Sequence, residues 1–217
     1  MRDLRSLAHA HRTFASVFRE HAHYILRVFL AQQIPHVLLP FAIATHTVVR
    51  DYGDLWEWKQ DCDTGYNWYI IERHLHDAFS ESSQPSPVML FSALTPQDLL
   101  AITKTHDIVD YFANDYSSQA LPLFKQCFAD SEIGSRDDTC TEAERCRLYR
   151  AFYRFEFISR TFGAHGLDYF GTSVEFLLVA EAVQMIARLF FWSWSPWANE
   201  QYASVSEYLQ KKLEVGK

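Results

Sequence analysis

Thr141-Glu142-Ala143-Glu144-Arg145-Cys146-Arg147-Leu148-Tyr149-Arg150-Ala151-Phe152-Tyr153-Arg154-Phe155-Glu156-Phe157-Ile158-Ser159-Arg160-Thr161-Phe162-Gly163 is the stretch on which the fold turns. Thr141 followed three residues later by Glu144 is a capping box, in which each side chain satisfies a backbone N–H that the first helical turn leaves open. Beyond it, Leu148, Phe152, Phe155 and Phe162 recur at helical steps as one stripe, and Tyr149, Tyr153 and Phe157 widen that stripe sideways. A helix apolar over so broad an arc packs on more than one side, so this one is expected at the centre of the molecule. Gly163 is its natural stop.

Towards the C-terminus, the apolar run Val174–Trp194 contains Glu175, Glu181, Gln184 and Arg188. Each is costly at bilayer depth, so the run reads as a buried helix and not a membrane span. Ser195-Pro196 then gives a cap followed by a proline suited to the first helical position. Ala198, Tyr202, Val205, Leu209 and Leu213 carry a last helix. Towards the N-terminus, Thr95-Pro96-Gln97-Asp98 is another helix start, with Asp98 at the favourable end of the dipole. Leu99, Ile102, Ile108, Val109 and Phe112 follow at helical spacing, and a separate shorter segment holds Leu121, Phe124 and Phe128.

The first fifty residues give two more apolar patterns. Leu4, Leu7, Phe14 and Phe18 are followed, after a polar break at 19–23, by Tyr24, Ile25, Val28 and Phe29. Ile34-Pro35 is a boundary because the residue before proline is pushed out of helical backbone. Val37, Leu38, Phe41, Ala42 and Val49 trace the next face. Residues 51–63, acidic and carrying Trp56 and Trp58, read as a loop or short helix. Residues 66–79 read as an aromatic-rich helix, with a strand beginning at Trp68–Ile71 as the alternative. The polar stretches 80–94 and 130–141 are expected to be internal loops. The fold class that follows is all-α: a single irregular multi-helix domain over 1–217, built around an aromatic-rich central helix. Only 7 Gly and 7 Pro in 217 residues disfavour a turn-dense β-sandwich or barrel.

Chemistry is harder to find. The net charge of −7 gives no general attraction for nucleic acid or anionic membrane. No apolar leader opens the chain, and the four cysteines, Cys62, Cys127, Cys140 and Cys146, lack metal or disulfide-scaffold spacing. Free thiols in an intracellular protein, cytoplasmic or nuclear, are the expectation. The pairs His9/His11, His21/His23 and His74/His76 stand two residues apart, where helical side chains diverge, and Glu72/His76 has no second half-site. Cys62 lies between Asp61 and Asp63, which would raise its thiol pKa. No phosphate loop, dinucleotide fingerprint or nucleophile elbow occurs. No catalytic residue, cofactor or metal is assigned, and enzyme activity is not expected.

Two groups remain as candidates for holding a partner. Arg147, Arg150 and Arg154 step along one face of the central helix beside Tyr149, Tyr153 and Phe157. They either form a recognition strip or pair internally with carboxylates of 51–63 or 130–138, and the second is favoured. Trp192, Trp194 and Trp197 cluster around the Ser195-Pro196 turn, where packing of the last helix on the central one is favoured over a partner site. If a partner surface exists, Arg147, Arg150, Arg154, Trp194 and Trp197 are its candidate residues. Ser86-Pro87 is the one plausible regulatory phosphorylation position.

Glu144-Arg145-Cys146-Arg147-Leu148-Tyr149-Arg150-Ala151-Phe152-Tyr153-Arg154-Phe155-Glu156 resembles a helix found in fungal F-box-like proteins, and Phe190–Tyr202 is similar to their tryptophan–proline segment. Asp3–Phe14 resembles the second half of an F-box, so that 1–30 stands as a remnant of F-box-like helices. Val17–His21 and Ile34–Pro40 resemble the segment that follows it. The resemblance implies a non-enzymatic protein–protein interaction module with an unknown client, related to the substrate-recognition components of SCF-type ubiquitin ligases. The Leu-Pro-containing first helix of an F-box, which docks on the ligase adaptor, has no counterpart in these residues. Adaptor binding is therefore not expected of the chain as it stands. The rival readings are an enzyme with an unrecognised helical active site near His74/His76, and nucleic-acid binding through the arginine strip.

Overall fold

The capping box at Thr141 forms as the sequence predicts: the Thr141 hydroxyl accepts from the Glu144 N–H, and the Glu144 carboxylate accepts from the Thr141 N–H at 2.8 Å. The computed structural model describes residues 12–52, 91–127, 139–160, 187–192 and 194–215. Among these the chain is helical and has no strand. Five α-helices are described, α1 (Arg12–Gln33), α2 (Leu39–Tyr52), α3 (Pro96–Cys127), α4 (Glu142–Ile158) and α5 (Pro196–Val215), with a 3-10 turn at His36–Leu38 and a π-helical turn at Ala187–Trp192. They form one all-α domain. No single helix among the described residues is long and apolar enough to cross a membrane.

α4 is the central helix. It packs on α2, α3 and α5 as well as on the His36–Leu38 turn, and α1 reaches the same core through α3. Tyr149, Phe152, Tyr153 and Phe157 are all buried, as the wide apolar arc requires. The sequence's expected end of this helix at Phe162–Gly163 lies outside the described residues, as do 53–90, with Ser86, Glu72, His74 and His76, and all of 130–138. Phe91 and Leu94, at the end of the expected 80–94 loop, are core residues joined by a Leu94 N–H to Phe91 carbonyl bond of 3.3 Å.

Three helices differ from the sequence reading. α3 runs unbroken to Cys127, so the segment around Leu121 and Phe124 is its last turns and not a separate helix. Pro122 does not end it, because proline's fixed φ is helical and only one backbone bond is forfeited. α1 carries the expected break: its backbone leaves helical geometry at His21 (φ −112°, ψ 16°), within the polar stretch 19–23. Its core face is Leu26 and Leu30, whereas Tyr24 and Val28 point to solvent. α2 continues through Asp51 and Tyr52, which had been placed in the acidic loop. The remaining caps hold. Pro35 is the boundary residue before the 3-10 turn, and the Ala198 N–H donates to Ser195 Oγ at 3.3 Å.

Candidate functional site

Aromatic packing between α3, α4 and α5 sets a concavity among the described residues. Phe152 of α4 lies 6.5 Å from Phe112 in a nearly parallel stack and meets Tyr208 of α5 edge-on at 6.2 Å. Tyr116 closes the set against both Phe152 and Tyr208. Above this floor the three helices part, leaving a groove of ≈ 250 Å³ lined by Ile108 and Phe112, Phe155, and Leu209 and Leu213, with Glu156 and Lys212 at its polar edge. Ile108 and Leu213, which share the apolar spacing of their buried neighbours, are more than half exposed. They sit where the helical stripe continues past the point at which its neighbour helix ends or diverges. The volume falls below that of ordinary small-molecule pockets and suits one or two apolar side chains of a partner.

Lys212 is fixed at this edge by Asp115, 2.8 Å away, while its ammonium lies 5.6 Å from the Tyr208 ring. Tyr208 donates to the same Asp115 carboxylate. Contact with Lys212 first, then with Tyr208, holds the Asp115 carboxyl below the usual range. Burial and that carboxylate together push the Tyr208 phenol well above its ordinary value, so it remains a donor.

The structure separates the arginine strip. Arg147 is exposed, the Arg150 guanidinium lies 6.0 Å from the Phe41 ring of α2, and the Arg154 guanidinium lies 4.4 Å over Trp194. Arg150 forms no ion pair among the described residues, and its Nε is buried without a hydrogen-bond partner. The carboxylates expected to pair with these arginines lie in segments almost wholly outside the described residues; within the described residues Arg150 packs on an aromatic face. The tryptophans divide as well. Trp194 packs against Phe191 and Tyr202, but Trp192 is 78% exposed and Trp197 68%, so those two are not core. Pro196 starts α5 so that the next side chain, Trp197, projects away from α4.

Two polar clusters lie in the interior. Asp98, 6% exposed, reciprocates the Thr95 cap and also takes His46 Nε2 at 2.7 Å and Arg50 Nη1 at 3.2 Å. Burial pushes its carboxyl up, but His46, both Thr95 donors and Arg50 outweigh that and hold it well below the usual carboxylate range. His106, buried in α3, meets the Tyr153 hydroxyl at 2.7 Å, and Tyr149 donates to Asp110 one turn on. Burial pushes the His106 imidazole below its ordinary value, against the pull of Asp110, the Gln33 backbone and Asp107. A neutral imidazole accepting from the Tyr153 hydroxyl follows, because burial keeps that phenol protonated. Both clusters tie helices together.

Among the described residues no cluster of His, Cys, Asp and Glu could hold a metal. Burial raises the thiols of Cys140 and Cys146, which are free, as is exposed Cys127. Sequence reasoning missed the groove because its walls, Ile108, Phe155 and Leu213, carry the same signal as core residues. The His46/Arg50 pair, four residues apart on α2, was a legible sign that a carboxylate would face that turn. No protein-family model, curated protein or solved structure matches the chain.

Proposed function

We propose that this protein is a non-enzymatic protein–protein interaction module of F-box-like descent, and that it holds its client in the groove between α3, α4 and α5. The observation that carries the reading is the groove itself: an open apolar cleft of ≈ 250 Å³ with protruding Ile108 and Leu213 and a charged edge of Glu156 and Lys212. Apolar anchors surrounded by a polar rim are the arrangement that concentrates binding energy at protein interfaces. Asp98, His106 and Asp110 support the same reading, since each is occupied in tying one helix to another.

A photo-crosslinking residue at position 213 of the full chain tests it, with position 97, exposed on the far end of α3, as the control. The expected result is a discrete adduct at 213, none at 97, and loss of the adduct in Phe155→Glu. Adducts equal at both positions, or unaffected by Phe155→Glu, would remove the groove as the docking site. Stoichiometric zinc or iron in the purified protein would favour the enzyme reading instead.

A further inference from the structure

Arg150 of α4 stands apart from the groove, and no carboxylate bonds it among the described residues. Its Nε is buried without a hydrogen-bond partner, while part of the residue still meets solvent. Its neighbours one turn away on α4 are Cys146, Arg147, Tyr153 and Arg154, none of them an acid. Burial raises the Cys146 thiol, so it supplies no counter-charge, and the Tyr153 hydroxyl is taken up by His106. Glu144 is engaged in the cap and Glu156 by Arg160. α2, which packs on this side, has only Asp51, ten residues or about 15 Å beyond Phe41. The His36–Leu38 turn has no acid. Arg147, exposed one turn before Arg150, adds a second guanidinium without an ion pair among the described residues. We propose that Arg147 and Arg150 form a binding site for a phosphate group, whose oxygens the two guanidiniums share.

Two like charges one turn apart repel, so the pair favours an anion that neutralises both. A phosphate group carries about two negative charges at neutral pH, and its oxygens match the planar fork of a guanidinium. A single carboxylate would leave one arginine over. Arg150 is prepared for such a ligand. Its buried N–H has already lost its water, so less hydration remains to be stripped when the anion arrives. The Phe41 ring, itself buried and 6.0 Å from the guanidinium, holds the group in place and spares part of the ordering cost. The charge of −7 over the whole chain opposes long polyanions, which selects a single phosphate group over nucleic acid. Neither arginine lines the groove between α3, α4 and α5, so this site is separate from the one proposed for the client.

Calorimetric titration of the full chain with inorganic phosphate, and separately with a short phosphoserine peptide, tests the site in a buffer free of other oxyanions. Saturable binding of one phosphate group per chain is expected. Arg150→Gln and Arg147→Gln should each weaken it at least about tenfold, since each removes charge-assisted bonds. Arg145→Gln, at an exposed arginine off this face of α4, should leave it unchanged. The two probes separate the sources: equal affinity marks a site for the free ion, and tighter binding of the peptide marks one for a phosphorylated side chain. The unliganded chain gives a second measurement. Arg150→Met keeps an apolar stem against Phe41 and removes the unsatisfied N–H, so without phosphate its Tm should match or exceed that of the wild type. Phosphate should then raise the Tm of the wild type alone. A fall of more than about 6 °C in Arg150→Met without phosphate would mean that a carboxylate of the chain itself already pairs with Arg150, and would overturn the proposal. Absence of binding, binding untouched by Arg150→Gln, or binding lost equally in Arg145→Gln would overturn it as well.

Discussion

Removing the Asp98 carboxylate is the sharpest perturbation of this fold, because one buried side chain caps α3 and joins it to α2. In Asp98→Ala the carboxylate's half of the capping box, its bonds from the Thr95 N–H and hydroxyl, is lost, worth about 1 kcal/mol. The charge-assisted bond to His46, at 2.7 Å with both partners largely buried, contributes about 1.5 kcal/mol more. Arg50 is about a third exposed, so solvent screens its share to about 0.5 kcal/mol. The expected loss is about 3 kcal/mol, or about 10 °C in Tm for a chain of this size. Urea titration measures it, and a double-mutant cycle with His46→Gln should return a coupling of about 1 kcal/mol. The pH dependence gives a second reading. A carboxyl held below its unfolded value of 3.8 contributes stability above that pH and loses it as the pH falls further. The variant should therefore approach the wild type in acid. A loss under 1 kcal/mol, or a difference unchanged between pH 7 and pH 3, would refute the assignment of Asp98 as the ionised link between the two helices.

Three other outcomes follow from the same packing. His106, buried and neutral, should cost stability as the pH drops below 6.5, where the unfolded chain takes up the proton first; comparing denaturation midpoints at pH 7.5 and 5.5 for wild type and His106→Phe would isolate that slope. Phe152→Ala empties the centre of the aromatic cluster and should cost about 3–5 kcal/mol by urea titration, while leaving helix content intact below the transition. Trp197→Ala, at a position 68% exposed, should change stability by less than about 0.5 kcal/mol in the same assay, so a large loss there would mean that the tryptophan packs against something.

What the sequence could disclose about the fold was mostly local chemistry. Thr141 with Glu144, Thr95 with Asp98 and Ser195 with Pro196 announce their helix starts because a cap is made within four residues and needs no tertiary partner. The width of the apolar arc on α4 disclosed its central place, since burial on several sides leaves no polar face to write. The failures lie where a neighbour decides. Val28 and Leu30 of α1 look alike as letters, but the course of α3 buries one and leaves the other in water. Ile108 and Leu213 share the apolar spacing of their buried neighbours and Trp197 reads as packing, yet all three are exposed, because nothing local records where an adjacent helix stops. The arginine strip shows the same dependence on neighbours. Three and four-residue steps put Arg147, Arg150 and Arg154 on one side of α4, yet the chain offers that side Phe41 at one level, Trp194 at another and solvent at the third.

These misreadings share a consequence for function. A side chain that patterns with the core but stands in water costs solvation without contributing to folding, and such residues here are not scattered evenly. Ile108 and Leu213 border one groove, while Phe14, Val17, Tyr24 and Val28 line one face of α1. Meanwhile the ionisable groups that could have carried chemistry, Asp98, His46, His106 and Asp110, are taken up in bonds between helices. Among the described residues the buried polar groups thus join helices, while exposed apolar side chains stand along α1, at the groove, and also at Tyr111, Leu123, Trp192 and Trp197. If the groove is the docking site proposed above, Phe155→Glu should abolish crosslinking at position 213, whereas Val17→Glu on α1 should leave it intact. Loss of the adduct in Val17→Glu as well would mean that the groove alone does not hold the client.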